Sequence, residues 1–571
     1  MVVADFHRYK SAVLVFLMGC VTLVTFLGYT EYYTKGEPRE AIVAVTMLDS
    51  GNWILPTNNG GDMAYKPPFF HWCIAAVSKI AGGVTEFTSR VPSAVALILM
   101  TTATFVFYRK RRGECLAMLT ALLLLTNFEV HRAGVACRVD MVLTACIVGA
   151  MYSLYRWYEK DFKGFPIVGV LLMSGAVLTK GPVGMVLPCL VMGVFMLVRG
   201  KGFWKSLLLM SMAGVASLVL PSLWYYAAYQ QGGQQFIDLV MEENFGRFTG
   251  TMSYDSHVNP WYYNVITLVS GFTPYTILAL MCLSIVKRKK ISVASMSFAK
   301  IKQSIAKIDD ARLYSLLAII VVFVFYCIPK SKRSVYLLPM YPFIAYFMAE
   351  LIAYVAKSYP KLIDVFLHIM GRTYELLFIV FISIRLCHTS IALSPSMQLY
   401  VEAIGTAHVN VLQMIAMALP ILLYEMRNRL YQLYEPMKML LAPLVVMSVF
   451  LALDSTYQPI VLNAKADRAT TDKVLSMVPK GPIYSFVDIE MMRFFVINFY
   501  SGNRVVLFEN SNPNDGYILL RQRDACKFMA RHSDYTFEQV YKSKYKGCDV
   551  RDYVLLCKFT RRNRLSEKSP Q

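Results

Sequence analysis

Long apolar stretches recur along most of the chain, each bounded by charged or turn-forming residues. A helix needs about 20 mostly apolar residues to cross a bilayer, where lipid offers its backbone groups no partner. The pattern therefore predicts a polytopic α-helical membrane protein with about thirteen spans, several of them short. The first is no cleavable signal peptide, because Glu-Tyr-Tyr follows it in place of small residues. The predicted spans are 11–29, 92–108, 114–128, 140–156, 165–179, 183–198, 206–227, 261–286, 314–329, 335–356, 371–391, 408–424 and 439–454.

The pattern changes after about residue 455 to short alternating segments with turn signals between them. It predicts a transmembrane domain at 1–454, with a long first outer loop at 30–91 that carries interfacial helices, and a small soluble α/β domain at 455–571. In the second domain the predicted strands are 482–488, 504–508, 516–522 and 553–559, the predicted helices are 523–532 and 537–544, and a turn is predicted at 512–516.

The composition supports a membrane protein, since 56% of the 571 residues are hydrophobic and only 17% are charged. Soluble domains have about a quarter of their residues charged, so a cytosolic enzyme is excluded, as are a secreted disulfide scaffold and a disordered chain. The twelve cysteines show no metal-ligand spacing. One disulfide among Cys526, Cys548 and Cys557 is left open.

The net charge of +21 is large for so apolar a chain. Loops rich in Lys and Arg stay in the cytoplasm, so we expect a cytoplasmic N-terminus and cytoplasmic loops at 109–112, 156–163, 199–205 and 287–313. An odd number of spans then puts the C-terminal domain outside. Much of the charge is thus explained by topology, and none of it requires nucleic acid.

A smaller set of cations falls on the predicted outer side, close to span ends. A bound anion would explain them, and snorkelling to lipid head groups is the alternative. The anion is favoured for the tight basic turn at 329–333. The set is Arg39, Lys66, Arg132, Arg138, Lys180, Arg247, Lys330, Lys332 and Arg333.

Three carboxylates on the same side are candidates for a general base. Glu37 and Glu40 share one face of a predicted helix, with Pro38 in its first turn. Their spacing alone slightly favours an ordinary salt-bridged helix start. Asp140 follows Arg138 at the start of a span, where an aspartate also suits the helix dipole. His257 precedes an aromatic cluster and is expected to lie at the interface.

Several segments, in this order, resemble the bacterial aminoarabinose-transferase (ArnT-like) branch of the membrane glycosyltransferases with the GT-C fold, which also includes protein O-mannosyltransferases. The strongest are Glu37-Pro38-Arg39-Glu40, Met47-Leu48 with Gly51 and Trp53, Lys66-Pro67-Pro68, and Arg90-Val91-Pro92-Ser93. Weaker ones are Arg138–Met141, Leu178–Pro182, Glu243–Phe248 and Lys332–Pro339. The resemblance covers about the first 345 residues.

The resemblance implies an inverting transfer of a sugar from a polyprenyl (undecaprenyl) phosphate to a lipid A-type or other glycolipid on the periplasmic face of a bacterial inner membrane. A monomer is expected. Lys66 matches the lysine held against donor phosphate, Arg39 the arginine beside the catalytic loop, and Lys332 a basic position before the family's Tyr-x-x-Pro, here Tyr336–Pro339. The substrate-binding set is therefore Arg39, Lys66, Arg138, Lys180, His257, Lys330, Lys332 and Tyr336.

The chain departs from the family at two positions. Gly36 stands where the family often has an Asp, which leaves Glu37 as the first candidate for the base, with Asp140 and Glu40 as alternatives. Tyr65 stands where the aminoarabinose enzymes have a Glu, which leaves His257 without a partner for a metal. We therefore predict no cofactor and no metal site, although a divalent metal stays open.

Three other functions remain as alternatives. A protein O-glycosyltransferase would use the same donor with Ser or Thr acceptors. A transporter or flippase for lipid-linked sugars would usually show related halves and polar residues near mid-membrane. The sequence has no internal repeat, and its ionisable residues gather at one predicted face. A non-catalytic lipid-binding relative would not need both acidic and basic candidates.

Overall fold

The computed structural model describes residues 2–58, 61–243, 258–286, 306–390, 394–488 and 493–562. A helical bundle forms the first part of the chain, and each predicted span coincides with one helix or two consecutive helices. The bundle helices are α1 (Val2–Val24), α2 (Gly36–Ser50), α3 (Phe69–Ala81), α4 (Glu86–Arg112), α5 (Glu114–Leu125), α6 (Phe128–Gly134), α7 (Val139–Glu159), α8 (Ile167–Lys180), α9 (Val183–Val198), α10 (Phe203–Ser217), α11 (Val219–Met241), α12 (Tyr263–Gly271), α13 (Tyr275–Val286), α14 (Asp310–Cys327), α15 (Tyr341–Ser358), α16 (Pro360–Cys387), α17 (Pro395–Thr406), α18 (Val411–Glu425), α19 (Arg427–Leu433) and α20 (Met437–Ala452).

Six helices of the described part are long and apolar enough to cross a membrane, or up to ten if each bent pair counts as one span. The chain is thus a multi-pass membrane protein. Three shorter apolar helices, Lys10–Val24, Ile167–Lys180 and Val183–Val198, fall on further predicted spans. The total of about thirteen stays a prediction.

Basic loops predicted to share one side of the membrane do meet at one end of the bundle. Arg111 pairs with Glu159 at 2.6 Å, and Arg112 pairs with Asp309. Arg199, which follows α9, pairs with Asp310 at 2.7 Å. The predicted cytoplasmic loop at 287–313 lies outside the described residues up to 305.

The C-terminal domain is α/β, as predicted. It contains a five-stranded sheet in the order β4-β3-β5-β7-β6, in which β3 pairs in parallel with β4 and β5 and the other pairs are antiparallel. Two short strands, β1 (Thr57–Asn58) and β2 (Asp62–Met63), form a separate hairpin in the first loop. The remaining elements are α21 (Gln458–Asn463), α22 (Arg468–Met477), β3 (Ile483–Phe486), α23 (Phe495–Tyr500), β4 (Val505–Leu507), α24 (Phe508–Ser511), β5 (Asp515–Arg521), α25 (Gln522–Arg531), β6 (Tyr535–Lys546) and β7 (Tyr553–Arg561).

The helix predicted at 537–544 is wrong, because this segment is part of β6. Phe537 lies opposite Phe559 and Glu538 opposite Lys558 in the antiparallel pair with β7. Cross-strand aromatic and charged pairs of this kind stabilise a strand that lacks a continuous apolar face. The disulfide left open for this domain does not form, since all twelve cysteines are described and free. The domain boundary at 454/455 stays a prediction.

The C-terminal domain packs on one end of the bundle, which we call the domain face and which carries α2, α3 and α6. Tyr500 of α23 donates to Glu86 at 2.7 Å and accepts from the backbone N–H of Tyr32 at 3.0 Å. The ring of Phe499 meets that of Tyr32 edge-on at 4.8 Å. The domain therefore holds the start of the first loop and the start of α4.

A close approach of α8 and α9 fixes the turn that follows Lys180. A Cβ on Gly184 would lie 2.5 Å from the backbone carbon of Ala176, so only glycine fits there. Small residues permit such approaches between membrane helices.

We predict that Gly184→Val lowers stability by about 1–3 kcal/mol, since overpacking forces the helices apart. The measurement is the thermal unfolding midpoint in detergent. Gly202→Ala is the control, because no atom lies within 4 Å of its Cβ position. Equal midpoints for the two variants would contradict the packing role of Gly184.

Candidate functional site

Helix α2 carries two of the three candidate carboxylates. Pro38 lies in the first turn of this helix. The helix ends at Ser50 and is capped by Gly51, whose φ of 70° is favourable for glycine. The sequence predicts an amphipathic helix lying on the membrane interface, and here the acidic face is enclosed: Glu37 and Glu40 are both buried. Buried carboxylates need paired partners, and the two have different ones.

Glu37 is enclosed by hydrogen bonds from the protein itself. Arg90 of α4 donates to its two oxygens at 2.8 and 3.2 Å, and the backbone N–H of Cys137 donates at 2.9 Å. Arg90 also donates to the carbonyls of Leu27 and Thr30 at 3.0 and 2.5 Å. Burial raises the pKa of the Glu37 carboxyl, but Arg90 more than offsets this and the pKa lies below its ordinary value. This geometry is that of a structural ion pair.

Glu40 lies in a cluster of groups that bind anions. Lys66 and Arg39 both contact Oε1, the latter at 3.1 Å, and Nε2 of His71 lies 2.9 Å from Oε2. Burial raises the pKa of the Glu40 carboxyl, but Lys66, His71 and Arg39 together hold it well below its ordinary value. Burial and the neighbouring Arg39 lower the pKa of Lys66 to about 8, despite the opposing effect of Glu40.

Asp140 forms a second pair on the same face. Nζ of Lys180 donates to its Oδ1 at 2.5 Å, and the charges of Arg333 and Arg138 also act on it. Nζ of Lys180 lies 4.6 Å from the ring centre of Tyr336, which stacks on Tyr326. Asp140 lies in the first turn of α7, and Lys180 is the last residue of α8. These consecutive helices pack against each other, so the start of α7 lies beside the end of α8.

Arg138 connects the two clusters. Its guanidinium lies over Gly36, where a Cβ would be 2.4 Å from Nη2. Its charge acts on both Glu37 and Asp140. Gly36, which departs from the family pattern, thus makes room for an arginine between the acidic groups.

The other predicted binding residues are placed differently. Lys332 is buried and donates to the carbonyl of Pro329 at 2.5 Å, so it stabilises the turn at 329–333. Lys330 is exposed, and its carbonyl accepts from the N–H of Asn259 at 3.3 Å. Arg132 pairs with Glu129 at 2.7 Å. His257 and Arg247 lie outside the described residues. The roles of all these residues stay predictions.

Three contacting side chains received no role in the sequence analysis. Arg90 stands in a segment quoted for the resemblance and His71 follows another by three residues, but only the fold shows that they bind Glu37 and Glu40. Nε2 of His131 in α6 donates to Oδ2 of Asp454 at 2.7 Å, although the two residues are 323 positions apart. For His71, the signal in the sequence was a polar residue within the apolar segment that forms α3. Among the described residues, no three His, Cys, Asp or Glu side chains lie close enough to hold a metal.

Comparisons with known proteins agree with this fold. Residues 65–225 match the family model of dolichyl-phosphate-mannose-protein mannosyltransferases. The chain is 26% identical over 347 residues to an uncharacterized protein of Aquifex aeolicus. It is 25% identical over 360 residues to the undecaprenyl phosphate-α-4-amino-4-deoxy-L-arabinose arabinosyl transferase of Shewanella sediminis. These matches cover 60% and 61% of the chain, and span 64% and 60% of the two relatives.

Solved structures agree over almost the whole chain. ArnT of Cupriavidus metallidurans bound to undecaprenyl phosphate superposes with a TM-score of 0.69 at 18% identity, covering 99% of this chain and all of that one. Its apo state gives 0.68 at 19% identity, over 95% and 97% of the two chains. The chain therefore has the GT-C fold of the membrane glycosyltransferases. In fold the chain is thus similar to ArnT, and the resemblance stated from the sequence is confirmed.

We predict that Glu37→Gln lowers the free energy of unfolding by about 3 kcal/mol or more, since it leaves Arg90 buried without its counter-charge. The unfolding midpoint in detergent measures this. Arg372→Gln is the control: its nearest partner is Glu375 and its side chain is 64% exposed, so the unfolding midpoint should stay close to the wild-type value. A Glu37→Gln protein with wild-type stability and no activity would instead make Glu37 catalytic.

Proposed function

We propose that the chain is an inverting glycosyltransferase that moves a sugar from a polyprenyl phosphate to an acceptor hydroxyl at the domain face. The observation that carries this proposal is the pair of buried carboxylates, Glu40 and Asp140, each held by a lysine at one end of the bundle. The proposal is supported by the ArnT fold and by a solved ArnT structure that holds undecaprenyl phosphate. Relatives named as transferases use the same carrier.

The reaction requires one displacement at the anomeric carbon. The acceptor oxygen attacks C1 from the side opposite the phosphate, so that the new C–O bond forms as the C1–O bond to phosphate breaks. The bonding electrons leave with the polyprenyl phosphate, and the hydroxyl proton passes to a carboxylate. Lys66, Arg39 and Lys180 stabilise the charge of the departing phosphate.

The geometry ranks the three candidate bases. Both oxygens of Glu37 are taken by Arg90 and the Cys137 N–H, groups that hold the fold together. Glu40 and Asp140 are held by partly exposed lysines, at 28% and 25% exposure. A ligand can reach those lysines, so we assign the base to Glu40 or Asp140.

We further propose a lipid A-type or other glycolipid acceptor, on the periplasmic face of a bacterial inner membrane, and a monomeric enzyme. This rests on the names of the relatives and on the charge distribution of the loops. The second candidate is a protein O-glycosyltransferase, which the family match over residues 65–225 favours. A flippase is disfavoured because the buried carboxylates Glu37, Glu40 and Asp140, with their basic partners, gather at the domain face.

The test is incubation of the purified protein with undecaprenyl-phosphate sugars and either lipid A or a Ser/Thr-rich peptide, followed by mass spectrometry. Sugar on lipid A with release of undecaprenyl phosphate supports the proposal. Sugar on the peptide alone supports the second candidate. Transfer to neither acceptor, with lipid A and other envelope glycolipids supplied, would overturn glycosyl transfer.

The pKa of Lys66, about 8, predicts how donor binding changes with pH. The ammonium that attracts phosphate is lost as the pH rises through that value, so undecaprenyl phosphate should bind more weakly at pH 9.5 than at pH 7.5. The phosphate itself is fully ionised across this range, and does not confound the comparison.

Lys66→Ala should weaken binding about tenfold at pH 7.5, as expected for one lost charge contact. Lys66→Arg, which stays charged, should remove the pH dependence. Binding is measured by tryptophan fluorescence in detergent micelles. Unchanged affinity in Lys66→Ala would show that the phosphate lies elsewhere.

A further inference from the structure

Glu40 occupies the cations that the proposed function assigns to the donor phosphate. Its Oε1 contacts both Lys66 and Arg39, and its side chain is only 5% exposed. The two cations are 28% and 36% exposed. A phosphate therefore has access to the cations and not to the carboxylate behind them. Two anions cannot share the same donors without repulsion, so the carboxylate and the phosphate must compete.

The same contacts make Glu40 a weak base while the site is empty. Lys66 and Arg39 stabilise the ionised carboxylate, and a carboxylate so stabilised has little affinity for a proton. A general base works best when its pKa lies near the working pH. Something must remove the cations from Glu40 before it can accept the proton of an acceptor hydroxyl.

We propose that Glu40 stands in for the donor phosphate in the empty site, and that phosphate binding draws Lys66 and Arg39 off Oε1 and so frees it as the base. This rests on the proposed function. The acceptor O–H proton then moves to Oε1, the acceptor oxygen bonds to C1, and the electrons of the C1–O bond leave with the phosphate. Donor binding thus switches on the base, which disfavours proton abstraction when no donor is present.

His71 holds the other oxygen throughout. It is 1% exposed, lies in the first turn of α3, and contacts Oε2 of Glu40 through Nε2 at 2.9 Å. Its Nδ1 is buried and has no hydrogen-bond partner among the described residues. The imidazole therefore hydrogen-bonds to Glu40 through Nε2 alone. We expect this bond to keep the carboxylate in place when Lys66 and Arg39 bind the phosphate instead. His71 is a positioning residue.

The direct test is the binding of undecaprenyl phosphate to the full-length protein in detergent, with undecaprenol as the uncharged reference. Glu40→Gln should bind about tenfold tighter than wild type, since it removes the competing anion; tenfold corresponds to ~1.4 kcal/mol. It should also lose at least a hundredfold in transfer rate. Glu129→Gln, which removes an equally buried carboxylate beside Arg132 on the same face, should bind within about twofold of wild type.

Equal or weaker binding by Glu40→Gln would overturn the stand-in role. Glu40→Asp covers the case in which Glu40→Gln does not fold: it keeps the charge but shortens the reach, and should bind with intermediate affinity. Affinity at or below the wild-type value in Glu40→Asp would contradict the proposal as well. Wild-type protein that binds undecaprenyl phosphate no better than undecaprenol would instead overturn the proposed function.

The role of His71 has a separate readout. His71→Leu should lower kcat about tenfold while the Kd for undecaprenyl phosphate stays unchanged, and His71→Gln, whose amide can still donate to Oε2, should recover most of the rate. A merely structural histidine would change the unfolding midpoint and affect both constants. Equal kcat in the Leu and Gln variants would exclude positioning through this hydrogen bond.

Discussion

The buried pair of Glu37 and Arg90 is the interaction on which the domain face depends. Through Arg90 the pair reaches the end of α1 and the start of the first loop, and through Glu37 it reaches the backbone before α7. One ion pair therefore fixes α1, α2, α4 and α7 relative to one another. Because α2 also carries Glu40 and α7 carries Asp140, the position of both remaining acids follows from it. A carboxylate so enclosed serves the fold, and the proposed mechanism therefore assigns the base to one of the other two.

The apolar pattern was enough to predict the bundle, the helices and the separate α/β domain, because membrane spans have a strong signature in composition. The strand at Tyr535–Lys546 was predicted as a helix, since its partner Tyr553–Arg561 is what stabilises it. The candidate site was predicted as a list of charges without pairs. Glu37 and Arg90 are 53 residues apart, and His131 and Asp454 are 323 apart. Such pairings follow from the fold alone, and Glu37 could not be separated from Glu40 before it.

The departure at Gly36 acquires a physical meaning in the structure. The absence of a side chain lets Arg138 lie against α2, between Glu37 and Asp140. In the proposed mechanism the acidic function is carried four residues later, by Glu40, which contacts Lys66, Arg39 and His71. The same GT-C fold can thus hold a cluster of cations with a different distribution of acidic side chains. In α2, Glu37 stabilises the fold through Arg90, and Glu40 is the residue to which we assign the chemistry.

In the proposed mechanism the cations that now contact Glu40 receive a polyprenyl phosphate. A structure of the protein with undecaprenyl phosphate, determined by cryo-electron microscopy in a nanodisc, tests it most directly. We expect a phosphate oxygen within about 3 Å of Nζ of Lys66, with the contact between Lys66 and Glu40 broken and that between His71 and Glu40 retained. A phosphate bound elsewhere, or one bound beside an intact Lys66–Glu40 pair, would contradict the account.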